Sequence, residues 1–395
     1  MPKKNELEQH IAVFGESGSG KTVLLSSFYG ATQDPKFIKN NGFNVVADDT
    51  GQGHQLLQNY FKMRNSAELP RANRFKAVPY SFSVKVKKGS GVATQKKTPL
   101  DALRVVWHDY PGEWFEQDPS GPEEARRRIE TFRSLLSSDV ALLLVDGQKL
   151  LDNAGQEERY LQALFATFNT GLLNLRDDLL DDGKPLINFP RIWAIALSKA
   201  DLLPHLTAHD FSALLIENAG AHMGELRRTI SLMVDSDTAL SVGEDFVVLS
   251  SAKFKPGVID VSDRIGVNLI LPLASMLPFQ RHIRWAQKKE VSAKVAAALL
   301  GNADKVIASL AVLAPLARLF KKVKLPGPFG LVAGVAAPII AGGQLTKVAD
   351  LAGEKLAAAH AEAEAENQVL TAAMTGFLLD LEKGEDDGIL VRSQK

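Results

Sequence analysis

Gly15-Glu16-Ser17-Gly18-Ser19-Gly20-Lys21-Thr22 follows the apolar run Ile11-Ala12-Val13-Phe14 and leads into Val23-Leu24-Leu25. A strand, a glycine-rich turn of this spacing and a helix make a loop that cradles phosphate. The glycines let backbone N–H groups turn inward around the phosphates, Lys21 adds a positive charge, and the Thr22 hydroxyl suits Mg²⁺. The pattern G-x-x-x-x-G-K-[ST] also arises by chance. Here the strand precedes it and an apolar helix follows it, as the mechanism requires. Gly15 through Val23 is therefore the first candidate binding stretch, and Lys21 a candidate catalytic residue.

Three further segments narrow the reading. Leu103-Arg-Val-Val-Trp-His-Asp109-Tyr-Pro-Gly112 is an apolar strand that ends in an aspartate, with a glycine three residues on. That carboxylate can hold the water shell of Mg²⁺, and the Gly112 N–H can approach a γ-phosphate. Ile192-Trp-Ala-Ile-Ala-Leu-Ser198-Lys199-Ala200-Asp201 is a second buried strand, ending in S-K-A-D. Asp201 can accept from the N1–H and 2-amino group of guanine, a donor pair that adenine lacks, while the Lys199 stem lies along the base plane. Phe246-Val-Val-Leu-Ser250-Ser251-Ala252-Lys253 brings a third strand end, whose backbone N–H groups can meet the guanine oxygen.

These four boxes, in this order and each at a strand end, resemble the translation-factor-like and Ras-like class of P-loop GTPases over about residues 10–255. Asp109-Tyr-Pro-Gly-Glu-Trp114 looks closer still to the YcjX-like and double-GTPase bacterial families, whose switch region commonly reads D-Y-P-G-E-W. The resemblance implies an α/β fold, a mostly parallel doubly wound sheet, with GTP and Mg²⁺ as ligands. Thr22 and Asp109 would hold the metal. Ser198, Lys199, Asp201, Ser251, Ala252 and Lys253 would surround the base, and Ser198 stands where the stronger family pattern has Asn. Glu113 occupies the position of a water-positioning Gln. It is a candidate catalytic residue, with a solvent-facing switch residue as the alternative. The class also places a Mg²⁺-ligating threonine before the second strand. No threonine lies between residues 51 and 92, so Thr50 is the nearest candidate and Asn73 a weaker one.

At 395 residues the chain exceeds one ordinary domain. We expect a P-loop domain with insertions over 1–255 and an α-helical module over 256–395. Lys plus Arg equals Asp plus Glu at 46 each, which leaves no electrostatic footprint for nucleic acid. The absence of cysteine excludes disulfides and thiol chemistry, and the first eight residues carry no apolar core of signal-peptide type. The cytoplasm is the expected compartment, with peripheral attachment at the inner membrane as the alternative. Residues 31–77 read as largely irregular and polar, with a short helical pattern near 54–63. Arg126-Arg127-Arg128 reads as a solvated helix face, with an arginine finger as the alternative. His108 reads as packing beside Asp109.

Leu325 through Thr346 contains no charged residue. With Val306–Ala317 it forms an apolar hairpin over 306–346, read either as buried in the second module or as inserting into a membrane; Pro326, Pro328 and Pro338 disfavour one continuous span. Residues 348–383 read as one long helix that could cover it, and the Gly384–Gly388 tail as mobile. The expected partners are a protein effector or activator, with a second copy of the chain or a membrane surface through 306–346 as alternatives. Three functions follow in order: a GTP-hydrolysing molecular switch, a membrane-docked or dynamin-like GTPase, and a nucleotide-binding module with little turnover or a preference for ATP.

Overall fold

The computed structural model describes residues 6–41, 43–70, 78–86, 102–109, 112–115, 119–180, 183–186, 189–235, 237–278, 280–281, 285, 357, 361 and 369–393. Its strands are β1 (Glu6–Phe14), β2 (Phe43–Ala47), β3 (Val78–Val86), β4 (Ala102–Asp109), β5 (Val140–Asp146), β6 (Ile192–Ser198), β7 (Ser241–Val248), β8 (Lys253–Lys255), β9 (Val258–Asp260) and β10 (Leu390–Val391). Eight of them form one sheet in the order β10-β7-β6-β5-β1-β4-β3-β2, and β8 and β9 make a separate hairpin. The pairs β4-β1, β1-β5, β5-β6 and β6-β7 are parallel. The edges are antiparallel, through β2-β3-β4 on one side and β10-β7 on the other. Every residue of β5 and β6 is buried. Covered on both faces, these strands have no reason to alternate, and their sequences are continuously apolar.

Strand alternation sends Ile11 and Val13 into one core, Ala12 and Phe14 into another. On the first face lie α1 (Lys21–Thr32), α2 (Pro35–Asn40) and α3 (Thr50–Ser66). The other face carries α4 (Pro122–Leu135), α5 (Gly147–Asp152), α6 (Glu157–Leu179) and α7 (Ala208–Met233). The chain then returns to the first face as α8 (Ile270–Ser275) and α9 (Val369–Asp386). The architecture is thus the expected mixed α/β fold with a C-terminal helix.

Two stretches differ from expectation. Residues 31–77 hold α2, β2 and a 17-residue α3. Close approach of α3 to α1 replaces the missing apolar stripe. Gly30 lies under the Tyr60 ring, where a Cβ would stand 2.2 Å from Tyr60 Cγ. At Gly53 a Cβ would stand 2.8 Å from that of Ala47. The C-terminal residues are not a loose tail: α9 runs to Asp386, and β10 adds to the edge of β7. Val248 N donates to Ile389 O at 2.9 Å, and Ala208 N, the first amide of α7, donates to Gly388 O at 2.7 Å.

The described residues beyond 255 share the core of the first 255 instead of building their own. Met374, Phe377, Leu378 and Leu381 of α9 and Leu271, Leu273 and Met276 around α8 cluster with Ile11, Phe43 and Val45. The Phe377 and Phe43 rings meet edge to face, 5.4 Å apart. The division expected at 255 therefore falls inside a common core, and the apolar hairpin 306–346 lies outside the described residues. Among the described residues no helix is long and apolar enough to cross a membrane.

A buried ion pair ties the end of the chain to β7. The Arg281 guanidinium donates to Asp245 Oδ1, and both side chains are almost wholly inaccessible. Ser393 N donates to the same oxygen at 3.0 Å, and Ser241 Oγ lies 3.1 Å from Oδ2. Burial pushes the Asp245 carboxyl up, against the opposing pull of Arg281 and these donors. Asp245→Ala removes the carboxylate that faces a buried guanidinium and is expected to cost about 3–5 kcal/mol, read from the urea midpoint. Asp245→Leu combined with Arg281→Met should recover most of that loss. A midpoint for Asp245→Ala equal to wild type would show that the pair does not hold the C-terminus.

Candidate nucleotide site

The loop between β1 and α1 is shaped by its glycines and its lysine. Gly18 and Gly20 take φ of +80° and +90°, a left-handed backbone that residues with a Cβ avoid. At Gly15 a Cβ would stand 2.7 Å from Ser19 Oγ and 3.0 Å from Leu144 Cβ, so the loop rests directly on β5. Lys21 is buried, and its ammonium donates to the carbonyls of Gly15 at 2.7 Å and Glu16 at 2.9 Å. No side chain caps α1. Its first-turn amides, including those of Thr22 and Val23, are therefore donors for an anion at the helix start. Ser19 Oγ, also buried, has no hydrogen-bond partner among the described residues. These features fit a phosphate group. Thr22 is half-buried in the first turn of α1.

Asp109 ends β4 and is 2% exposed. The register sets His108 opposite Ala12, so Asp109 stands beside the start of the loop. Gly112 opens a short 3-10 turn, Gly112–Phe115, and presses against the loop itself. A Cβ there would lie 2.4 Å from Ser17 N and 2.6 Å from Glu16 C, so only glycine fits. The backbone of Glu113 lies in this turn; its side chain, like Tyr110 and Pro111, is outside the description. Trp114 O accepts from Arg128 Nη1 at 3.1 Å, and the Arg128 guanidinium lies 5.7 Å from the Trp114 ring centre. Arg128 also pairs with Glu124 at 2.5 Å. It is thus a buried brace of this turn and no part of a solvated face; Arg126 and Arg127 are exposed. His108 stacks on His10 with ring centres 5.2 Å apart. Burial first, then the neighbouring His10, lower its pKa to about 4, consistent with a packing role.

The base-side boxes meet each other. Ser198 Oγ donates to Val145 O at 3.2 Å. Lys199 takes a left-handed φ of 55°, and its ammonium pairs with Asp146 at 2.7 Å. Asp201 accepts from Ser250 Oγ at 2.7 Å and Phe254 N at 3.3 Å, which fixes the S-K-A-D turn against the S-A-K loop. A carboxylate offers about four acceptor sites, so capacity remains for two base donors. Ser251 O accepts from Ser27 Oγ at 2.8 Å, linking the loop to α1. Ala252 is fully buried, and Lys253 is exposed at the start of β8.

Thr50 is not brought to this site. It opens α3, which runs antiparallel to α1. Gly53 packs against Tyr29 near the far end of α1, and the later α3 residues Tyr60 and Met63 form a cluster that Val23 and Ala67 border. The start of α3 therefore sits at the end of α1 remote from Thr22. Asn73 lies outside the described residues. Sequence reasoning also missed Lys149 and Tyr160, which touch the loop, and Asp146, which holds Lys199; only Asp146 carries a sequence signal, an acid at the end of an apolar strand.

Thr22→Ala is expected to lower Mg²⁺-dependent nucleotide affinity at least about tenfold, whereas Thr50→Ala leaves it unchanged. Titration of a fluorescent nucleotide with and without EDTA measures both. An equal loss in Thr50→Ala would return Thr50 to the site.

A protein-family model described as Double-GTPase 2 matches residues 9–247, more than half of the chain. No curated protein matches it. Among solved structures, the GTP-bound signal recognition particle receptor complex SRb-GTP/SRX from Chaetomium thermophilum is 18% identical, with 63% of this chain and 93% of that chain covered and a TM-score of 0.31. The GTP-bound GTPase-like domain of Ski7 from S. cerevisiae is 15% identical, covering 62% of this chain and 43% of that one, with a TM-score of 0.27. GDP-bound Roco2 RocCORdC from Methanosarcina barkeri is 13% identical, with the same coverages and a TM-score of 0.22. All three TM-scores lie below 0.5, so none of these likenesses bears on this chain's function. The family match spans the phosphate loop, Asp109, Gly112 and the S-K-A-D turn together, and the chain belongs to the Double-GTPase 2 family of P-loop GTPases.

Proposed function

We propose that this protein binds GTP with Mg²⁺, hydrolyses it to GDP and phosphate, and works as a molecular switch. The supporting observation is the meeting of four separate sequence boxes at the carboxyl ends of β1, β4, β6 and β7, with Gly112 against Ser17 and Asp201 against Ser250. Lys21 and the loop amides stabilise negative charge on the transferring phosphoryl group. Asp201 accepts from the guanine N1–H and 2-amino group, the Lys199 stem lies along the base, and backbone N–H groups at Ser251, Ala252 and Lys253 face the guanine oxygen. Thr22 and Asp109 would hold Mg²⁺, which when bound neutralises charge on the β- and γ-oxygens. Glu113 follows Gly112 directly and would orient the attacking water.

The distance of Thr50 from the loop favours slow unaided hydrolysis, completed by a protein activator that supplies what the first switch lacks. The same observation supports a second reading, a binding module with little turnover. Kinship to YcjX-like proteins rests on Asp109–Trp114 alone. A role for 306–346 at a membrane surface, peripheral at the inner membrane of a bacterial cell, rests on its lack of charge. Single-turnover hydrolysis of GTP by wild type, against Lys21→Ala, separates switch from module.

Asp201→Asn is expected to weaken GTP about ten- to hundredfold, the worth of hydrogen bonds to a charged acceptor. It should raise affinity for xanthosine triphosphate, whose 2-oxo group accepts from the new amide. Equal affinity of wild type for ATP and GTP in a competition assay would overturn the guanine assignment. Trp114 stands two residues from the Gly112 amide, which gains a partner in the γ-phosphate. Tryptophan emission is expected to differ between GDP and a non-hydrolysable GTP analogue, and the difference to vanish in Trp114→Phe. Trp107 and Trp193, fully buried in the sheet, should contribute little. A difference that survives in Trp114→Phe assigns the movement elsewhere; no difference in wild type, with binding confirmed, favours the static module.

A further inference from the structure

The phosphate loop and the base-side lysine are joined by side chains that the hydrolysis reaction does not use. Glu16, inside the loop, is held twice. Its Oε1 pairs with Lys149 Nζ at 3.0 Å, and its Oε2 accepts from the Tyr160 hydroxyl at 3.3 Å. The Tyr160 oxygen in turn accepts from Asp146 N at 3.1 Å. Asp146 closes β5, the strand between the loop's strand and the strand of Ser198. One of its carboxylate oxygens caps α5 through Gln148 N at 2.9 Å; the other holds the Lys199 ammonium at 2.7 Å. Asp146 is 3% exposed, so both contacts are made largely out of water.

The direction of these bonds is fixed. Burial, and after it the Glu16 charge, push the Tyr160 phenol up, so it remains protonated and donates to Glu16 while accepting from Asp146 N. Lys199 carries a left-handed backbone, which costs a residue with a Cβ. Its pairing with Asp146 offsets that strain and sets the direction of the lysine stem. Ser198 is too short to do this work: its hydroxyl is spent on Val145 O across the strand.

We propose that Tyr160 is a positioning residue, which with Asp146 and Glu16 sets the separation between the phosphate-binding loop and the base-binding Lys199. The ligand it serves is a guanosine di- or triphosphate spanning both ends, and to that extent the inference rests on the proposed function. Free phosphate reaches one end only and gains nothing from the coupling.

The test is a double-mutant cycle on GDP affinity with Tyr160→Phe, Lys199→Ala and the pair, in the full-length protein. Tyr160→Phe keeps the ring in the core and removes the hydroxyl alone. It is expected to weaken GDP about fivefold to tenfold, the effect of one ordinary hydrogen bond. Lys199→Ala should cost markedly less in the Tyr160→Phe background than in wild type, while the urea midpoints of the same four proteins remain additive. Hydrogen exchange of the nucleotide-free protein supplies an arm that needs no ligand. Peptides covering 15–21 and 198–202 should both exchange faster in Tyr160→Phe, with 372–386 unchanged. Additive GDP affinities, with wild-type binding intact, would overturn the coupling and leave the proposed function standing. A wild-type protein that binds no guanine nucleotide would overturn the proposed function, and this inference with it.

Discussion

A buried ammonium must have acceptors, and at the head of α1 the acceptors are the loop's own carbonyls. Lys21 bonds Gly15 O and Glu16 O, and Glu16 O also takes the Ser19 amide, so the loop closes on its own lysine. The loop can close this tightly only because Gly18 and Gly20 accept left-handed backbone and Gly15 leaves room beneath for Leu144. The remaining contacts at this edge of the sheet build outward from that arrangement. Gly112 rests on Ser17, Glu16 reaches Lys149 and Tyr160, and the S-A-K loop hangs from α1 through Ser27.

The sheet that carries these ends is stabilised from both sides, and the C-terminal residues are part of that support. α8 and α9 lie on the face that also holds α1, and β10 extends β7. Val248 N bonds Ile389 O within one strand of the S-A-K loop, while Gly388 O takes the first amide of α7, the helix that follows the S-K-A-D turn. The base-side boxes are thus backed by residues more than a hundred positions later. Trp285 and α9 both belong to this core, and Asp245 bonds Arg281 before the sequence between them and Ser393 after it.

What the sequence made legible is what is local. The phosphate loop, the aspartate of β4, the S-K-A-D turn and the fully buried β5 and β6 each lie in one short stretch with a fixed spacing or an unbroken apolar run. β2 and α3 were hidden because their partners are distant: β2 is five residues paired to β3, and α3 holds α1 through Gly30, Gly53 and Tyr60 instead of a wide apolar stripe. β10 is two residues long and owes its conformation to β7, not to its own propensity. Arg128 reads as one of three arginines in a row until its depth against Trp114 separates it from the others. Tyr160 reads as one more aromatic on the apolar side of a helix, and nothing local to it points to Glu16, 144 positions earlier.

The same contrast bears on the expectation for Thr50. The spacing argument for Thr50 treats the chain between α1 and β3 as one connection leading from the loop to the sheet edge. In the fold that connection is used twice. It first runs away from the loop along α1 to build β2, then returns along α3, so that Ala67 and Val23 border one apolar cluster. β3 begins opposite Asp109, at the loop's end of the sheet. The described ends of the next stretch are Ala67, which borders the cluster that Val23 also borders, and Val78, which pairs with Asp109. That stretch contains no threonine. Proximity in sequence to the phosphate loop is a poor guide wherever a strand–helix insertion doubles the path.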